Sequence, residues 1–278
     1  MRFEKWQALG NDYVIVEAAD LPFPLTSAAV RRLCDRHAGP GADGVLEILP
    51  PDAPGPVARL RIHNPDGSEA ELSGNGAREA ILYLRRSGAT DQDRFSIQTI
   101  AGEIRATTLG PTACRVDMGQ ASLRSPHFPG GAGDGTGEIA GLRFQHVAIG
   151  NPQCAIRLPD AAALVALDLP AVGPVIERDP RFPNRTNVSF WCSTGQSAIR
   201  ARIFERGVGE TQSSGTGACG AAVAFTLRGG KSPVSVALDG GELEVEVDPS
   251  LRVHLTGWAV PVYRGELSDE FVEELRDR

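Results

Sequence analysis

Two similar α/β domains descended from an internal duplication are what this sequence predicts. A phrase spoken twice and an apolar, helix-like run after each copy carry that expectation. Ser73-Gly74-Asn75-Gly76-Ala77-Arg78-Glu79-Ala80 returns as Ser214-Gly215-Thr216-Gly217-Ala218-Cys219-Gly220-Ala221, with Glu69 and Glu210 each four residues before the serine. Both copies fit E-x-x-x-S-G-x-G-A-x-x-A at an offset of 141 residues (214 minus 73). Gly10-Asn11 matches Gly150-Asn151 at 140 and Gly102-Glu103 matches Gly241-Glu242 at 139, and pairs in register mark structural repeats. The runs that follow, 80–84 and 221–227, show no polar face, which is how a helix buried on all sides reads.

The remaining elements follow in order. Residues 3–9 and 13–17 read as strands around a Gly10-Asn11-Asp12 turn. Thr26 and Ser27 can cap a helix running to about Arg36, and 39–44 is a glycine-rich loop without the Lys-Ser/Thr ending of a phosphate loop. Residues 57–63 alternate apolar and basic side chains, the mark of a half-buried strand, and end in the turn Asn64-Pro65-Asp66-Gly67. Strands are expected at 95–99, 103–109 and 113–118, then a Gly- and Pro-rich stretch at 126–141. The second half repeats the scheme with strands at 142–149 and 154–158, a helix near 160–167, a Pro-rich passage, and strands at 188–192, 198–204, 234–238, 242–247 and 251–255. A short helix at 268–276 closes the chain. The domains are expected at 1–125 and 142–265, with 126–141 as a loop between them and 262–278 as a tail packed back on the first.

At 278 residues with 41% hydrophobic content, two ordinary cores are affordable. A net charge of -7 without basic clusters excludes nucleic acid and anionic membranes as expected partners. No apolar run of membrane-spanning length and no signal-peptide segment is present, so a cytoplasmic location is expected. The five cysteines are widely spaced without a CxxC pair and the five histidines are scattered, so neither a disulfide framework nor a metal site is expected.

The repeated Ser-Gly-x-Gly has a physical purpose. Free N–H groups at a helix start carry partial positive charge, and glycines let an anion, most simply a carboxylate, approach them. Two such turns predict a single site where both helix starts point inward, with Ser73 and Ser214 facing each other. The alternative is that both serines are only N-caps, a role serine favours. Asn11 and Asn64 are either turn formers or ligand contacts, and the repeat of Gly10-Asn11 at Asn151 favours contact at the first. Glu205-Arg206 is either a solvated pair or a clamp, Arg206 for a carboxylate and Glu205 for an ammonium.

Taken together, Leu9-Gly10-Asn11-Asp12, Gly41-Ala42-Asp43-Gly44, 64–69, Gly74-Asn75-Gly76-Ala77-Arg78, Gly150-Asn151-Pro152, Arg185-Thr186-Asn187-Val188, 205–211 and Gly215-Thr216-Gly217-Ala218-Cys219 resemble the diaminopimelate epimerases. The match runs in order from residue 3 to about residue 265. The resemblance implies two pseudo-symmetric domains, each a curled, mainly antiparallel sheet around a central helix, with a small amino-acid substrate between them. It implies no cofactor and no metal: two cysteines on opposite faces of the α-carbon exchange its proton, interconverting LL- and meso-diaminopimelate on the route to lysine and peptidoglycan precursors. Carried over by motif, the substrate contacts are Asn11, Asn64, Gly74, Asn75, Asn151, Asn187, Glu205, Arg206, Gly215 and Thr216. The helix starts would hold the α-carboxylate, and Asn64, Asn187 and Arg206 the far end of the diamino diacid. An exposed outer strand in either half would support a homodimer.

The departures fall on the chemistry. Both family cysteines are serine, Ser73 and Ser214, and a family histidine is Gln153. A thiol with a pKa of about 8.5 is tuned to thiolate at a helix start, whereas a serine hydroxyl needs a partner base. Glu69 and Glu210 are candidates for that base. Three readings stand: an epimerase working through Ser73 and Ser214, a relative that kept the pocket as an amino-acid-binding module, and an engineered double mutant, against which Gln153 and Glu79 argue. A hydroxyproline-type epimerase or dehydratase is the alternative enzyme, though it has no need of Glu205-Arg206.

Overall fold

The structure, a computed structural model, describes residues 1–276. The chain forms two compact units, residues 1–116 with 258–276, and residues 117–257. It leaves the first inside the strand Ala113–Gln120 and returns inside Arg252–Trp258, so the stretch 126–141 lies in the second unit.

In the first unit, hydrogen-bonded strands run in the order Val260–Glu266, Arg2–Ala8, Asn11–Glu17, Val45–Leu49, Ala58–His63, Arg94–Thr99, Gly102–Thr108 and the start of Ala113–Gln120. Neighbours are antiparallel except Asn11–Glu17 with Val45–Leu49 and Ala58–His63 with Arg94–Thr99. In the second unit the order is Thr136–Ile139, Leu142–Ala148, Pro152–Arg157, Asn187–Ser193, Ala198–Glu205, Val234–Leu238, Gly241–Val247 and Arg252–Trp258. Its parallel steps fall at the same two places in the order. The duplication is therefore one of topology, in mainly antiparallel sheets that do not close into barrels.

A parallel step needs a crossover, and helices supply it. Ser27–Cys34 bridges the first step of the first unit, and Ala161–Ala166 with Leu169–Glu177 that of the second. The second step in each is bridged by the helix that follows the repeated phrase, Gly74–Ser87 or Gly215–Thr226. Each of these packs against several strands of its own sheet, which makes it central. Gly215–Thr226 is buried from Gly215 through Phe225, as its apolar sequence requires.

Thr26 caps as expected, accepting from Ala29 N–H to start Ser27–Cys34, and Asp160 accepts from Ala163 N–H to start Ala161–Ala166. The Pro-rich passage holds a helix the sequence reading lacked, Leu169–Glu177: Asp168 caps it and Pro170 sits in the first turn, where a missing N–H costs nothing. Five strands also lack a sequence counterpart, among them the short Glu69–Ala70 and Gly209–Thr211. Val45–Leu49 has four buried residues in succession, because both its faces are covered and alternation is lost. Thr136–Ile139 lies in the glycine-rich stretch, where a Cβ on Gly137 would come within 2.5 Å of the Phe144 ring. Glycine serves close approach there. Val260–Glu266 is an edge strand with exposed Val262 and Tyr263.

Separate apolar clusters hold the units. Val14, Val16, Val30, Leu33, Val45 and Leu275 belong to one, and Phe144, Ile156, Phe182, Val188 and Phe190 to the other. Each such side chain fully buried contributes about 1.5–3 kcal/mol.

Candidate functional site

The first helix start is built by Ser73, whose extended backbone (φ -127°, ψ 122°) turns the chain into Gly74–Ser87. Its Oγ accepts from the Gly76 N–H at 3.1 Å, a serine N-cap. The same oxygen accepts from the Tyr13 hydroxyl at 3.2 Å. Beside it, Asn75 Nδ2 donates to Asn11 Oδ1 at 3.2 Å, and Asn11 Nδ2 donates to Asp43 Oδ2 at 3.1 Å. Arg78, fully buried, reaches back one turn to the Gly74 carbonyl (2.9 Å) and Asn75 Oδ1 (2.6 Å). Both predicted asparagines are thus locked in one amide orientation by a chain from Asp43 to Arg78.

The charges behind this turn are specific. Burial raises the Asp12 carboxyl, but hydrogen bonds from Arg36 and Lys5 outweigh it and hold the pKa at about 2. Glu79 follows Arg78 on the helix and is completely buried with neither oxygen hydrogen-bonded. Burial pushes its pKa well above the usual carboxylate range, with nearby Arg78 only partly opposing.

The second start repeats the backbone with other side chains. Ser214 (φ -143°, ψ 120°) caps Gly215–Thr226, its Oγ accepting from Gly217 N–H at 3.2 Å. Asn151 Nδ2 donates to Thr216 Oγ1 at 3.1 Å and its Oδ1 accepts from Gln153 Nε2 at 2.6 Å. The Asn11 to Asn75 link is therefore matched by Asn151 to Thr216. Glu205 is half-buried and accepts from Thr211 Oγ1 at 2.8 Å. Burial raises its pKa, and hydrogen bonds from the Thr211 and Ser214 hydroxyls pull it part of the way back.

Other predicted residues are placed less openly. Asn187 is buried with both ends of its amide engaged: Oδ1 accepts from the Arg206 N–H at 2.8 Å and Nδ2 donates to the Pro152 carbonyl at 3.1 Å. It fixes the turn that carries Arg206, whose guanidinium donates to the Asn184 carbonyl at 3.1 Å. Buried Glu177 accepts from the Gly207 N–H at 3.2 Å and adds a second anchor for that turn. Asn64, in the first unit, donates to Ser68 Oγ at 3.0 Å within its own turn.

Glu69 and Glu210 are not the serines' bases. Arg61 holds Glu69 through two bonds of 2.9 Å, and Arg202 holds Glu210 at 2.9 and 2.7 Å, one arginine per repeat at the 141-residue offset. The partners the serines do have, Tyr13 and Glu205, differ between the units. Tyr13 escaped the sequence reading because a strand aromatic reads as core, and Glu205 was read as half of a solvated pair or as an ammonium acceptor. The cysteines stand apart: burial pushes Cys34 and Cys114 up to about 12, and raises Cys154 and Cys192 as well, so these four are inert thiols at neutral pH.

The fold is shared with a hydroxyproline epimerase from Agrobacterium vitis (TM-score 0.68, 15% identity, 95% of this chain and 91% of that one). It is shared equally with a phenazine biosynthesis protein from Bacillus anthracis (TM-score 0.69, 17% identity, 96% and 99%). Identities this low speak for fold alone. Sequence narrows it: the diaminopimelate epimerase family profile matches residues 3–124 and 146–261. Diaminopimelate epimerases of Moorella thermoacetica (40% identity, 96% of this chain and 99% of the relative) and Synechococcus sp. strain JA-3-3Ab (38%, 97% and 99%) align along nearly the whole length. This chain belongs to the diaminopimelate epimerase family, a family of isomerases.

Proposed function

We propose that the chain interconverts LL- and meso-diaminopimelate by two-base proton transfer at the α-carbon, with Ser73 and Ser214 as the proton-handling groups and no cofactor. What carries the reading is that each serine, at the head of a glycine-rich helix in a chain of this family, has a second side-chain hydroxyl or carboxyl hydrogen-bonded to it in its own unit. Glu205 is a candidate base for Ser214, whereas the Tyr13 hydroxyl is a donor that stabilises negative charge on the Ser73 oxygen. The buried helix-start residues Gly74, Asn75, Gly215 and Thr216 would take the α-carboxylate, held in place by Asn11 and Asn151. Arg206 would pair with the distal carboxylate and Glu205 with an ammonium, with Asn64 and Asn187 shaping the distal end. The expected surroundings are cytoplasmic, and the exposed edge strand Val260–Glu266 supports a homodimer, which sedimentation would reveal.

The test is deuterium incorporation from D2O into LL- or meso-diaminopimelate. Exchange above background that disappears in Ser73→Ala and in Ser214→Ala supports the reading, and background exchange with the unmodified chain rejects it. The replacement of both expected cysteines favours a second reading, an amino-acid-binding relative without turnover. Calorimetric binding of the same ligand without exchange would select it.

A further inference from the structure

A cleft of about 450 Å³ lies in the second unit, at the C-terminal end of the helix Gly215–Thr226. An α-helix rises roughly 1.5 Å per residue, so the cleft is about 16 Å from the Ser214 cap and apart from the proposed catalytic groups. Arg157, at the end of the strand Pro152–Arg157, lines it together with Arg228 and Lys231, just past the helix, and no carboxylate does. All three cations are exposed, and among the described residues none of their side chains has an ion pair or a hydrogen bond. Other exposed arginines of this unit do find carboxylates: Arg178 at Glu177, Arg181 at Asp179 and Arg252 at Asp117. With a net charge of -7, the chain has no shortage of acids to supply.

The helix end explains one of the three, since Lys and Arg offset the partial negative charge on the last carbonyls. It does not explain Arg157, which stands on another element with its guanidinium 5.8 Å from the centroid of the Trp191 ring. Three like charges converging on one concavity repel each other, and a multiply charged anion offsets that.

The loop that carries two of the cations is fixed in advance. Gly229 turns it with a φ of +89°, and Gly230 passes so close to Phe225 that a Cβ would meet the ring at 2.2 Å. The N–H groups of Arg228 and Gly230 bond to the Phe225 carbonyl, that of Gly229 to Thr226 and that of Lys231 to Gln196, all at 2.8–3.1 Å. These N–H groups are committed, so recognition falls to side chains. Trp191 adds an unmet donor to the wall, because its Nε1 is buried without an acceptor, an uncommon state for a buried polar atom.

We propose that this cleft binds a small polyanion of the diphosphate class, either free pyrophosphate or the phosphate chain of a nucleotide. The cations come from a strand end and from the two ends of a loop, which suits tetrahedral phosphates with oxygens in several directions. A planar carboxylate instead meets a guanidinium along one edge. A single orthophosphate leaves much of the charge unmatched. Trp191 and Phe225 are 1% and 6% exposed, so neither ring is open to stack a base.

Calorimetric titration of the full chain with pyrophosphate at low salt tests this. Saturable binding is expected, weakened roughly tenfold or more in Arg228→Gln/Lys231→Gln. Arg143→Gln, which changes an exposed arginine of the same unit outside the cleft, should leave the affinity unchanged. These substitutions alter exposed side chains, so the urea midpoints should stay with the parent. Orthophosphate should bind roughly tenfold more weakly than pyrophosphate. ADP separates the two sources: it should bind no tighter than pyrophosphate, and a preference for it would make a nucleotide the ligand. Absence of saturable binding, equal affinity in the double variant, or orthophosphate binding as tightly as pyrophosphate would overturn the proposal.

Discussion

Position 79 in the first unit aligns with position 220 in the second, and the two could hardly differ more. Glu79 is a buried carboxyl without a hydrogen-bond partner, whereas Gly220 has no side chain and lies against Gln153, where a Cβ would meet Gln153 Cβ at 2.8 Å. One residue earlier, buried Arg78 aligns with buried Cys219. The helix starts in front of them keep the same cap, the same glycines and the same asparagine link. The duplication preserved the backbone N–H groups, which need only glycine and a cap, and let the titratable chemistry behind them diverge. A polar cluster of Asp12, Lys5, Arg36, Asp43 and Arg78 backs one start, and an apolar helix backs the other.

The sharpest way to break this contrast is Glu205→Gln. An amide cannot serve as a base, so diaminopimelate exchange should fall by ~10²–10⁴-fold with the fold intact, a typical general acid-base loss. A smaller loss would leave Glu205 only its ammonium contact and no part in proton transfer. Gly220→Ala comes next: overpacking against Gln153 outweighs the gain in helix propensity, for a net cost of ~1–2 kcal/mol in urea unfolding. An unchanged midpoint would mean that Gln153 yields.

Glu79 supplies a pH signature confined to the first unit. Its pKa is raised in the folded protein, so its contribution is fully present below the unfolded carboxylate value of about 4.3 and is lost as pH rises towards the folded pKa. Glu79→Gln should therefore gain in melting temperature over the parent as pH rises from 5 to 8. A constant difference would show that Glu79 is ionised and paired. The paired arginines come last: Arg61→Met removes the partner of half-exposed Glu69 and one partner of buried Glu47, and costs about 1–3 kcal/mol. Arg202→Met should cost about the same, because Arg202 holds Glu210 and also binds the Leu164 and Leu167 carbonyls.

Sequence made the repeat, both caps and both central helices readable, since each rests on neighbouring residues: serine before Gly-x-Gly-Ala, then an apolar run. It failed where the cause is tertiary. Tyr13 and Ser73 are sixty residues apart and no local pattern joins them. Glu69 and Glu210 looked like bases because they recur upstream of the serines, yet the arginines that claim them sit on the alternating strands Ala58–His63 and Ala198–Glu205. Leu169–Glu177 was hidden by prolines that a first turn tolerates and by Pro174 within it.

The strand beside Arg2–Ala8 comes from Val260–Glu266, so the first unit is not complete until residue 266 has been synthesised. The second unit, continuous from 117 to 257, has all its strands beforehand. On the ribosome the order of maturation is thus inverted relative to the order of emergence: the early half must wait with an unpaired sheet margin, a site for mispairing between nascent chains. A stop codon before residue 260 should then give insoluble product even though all the proposed catalytic groups have been translated.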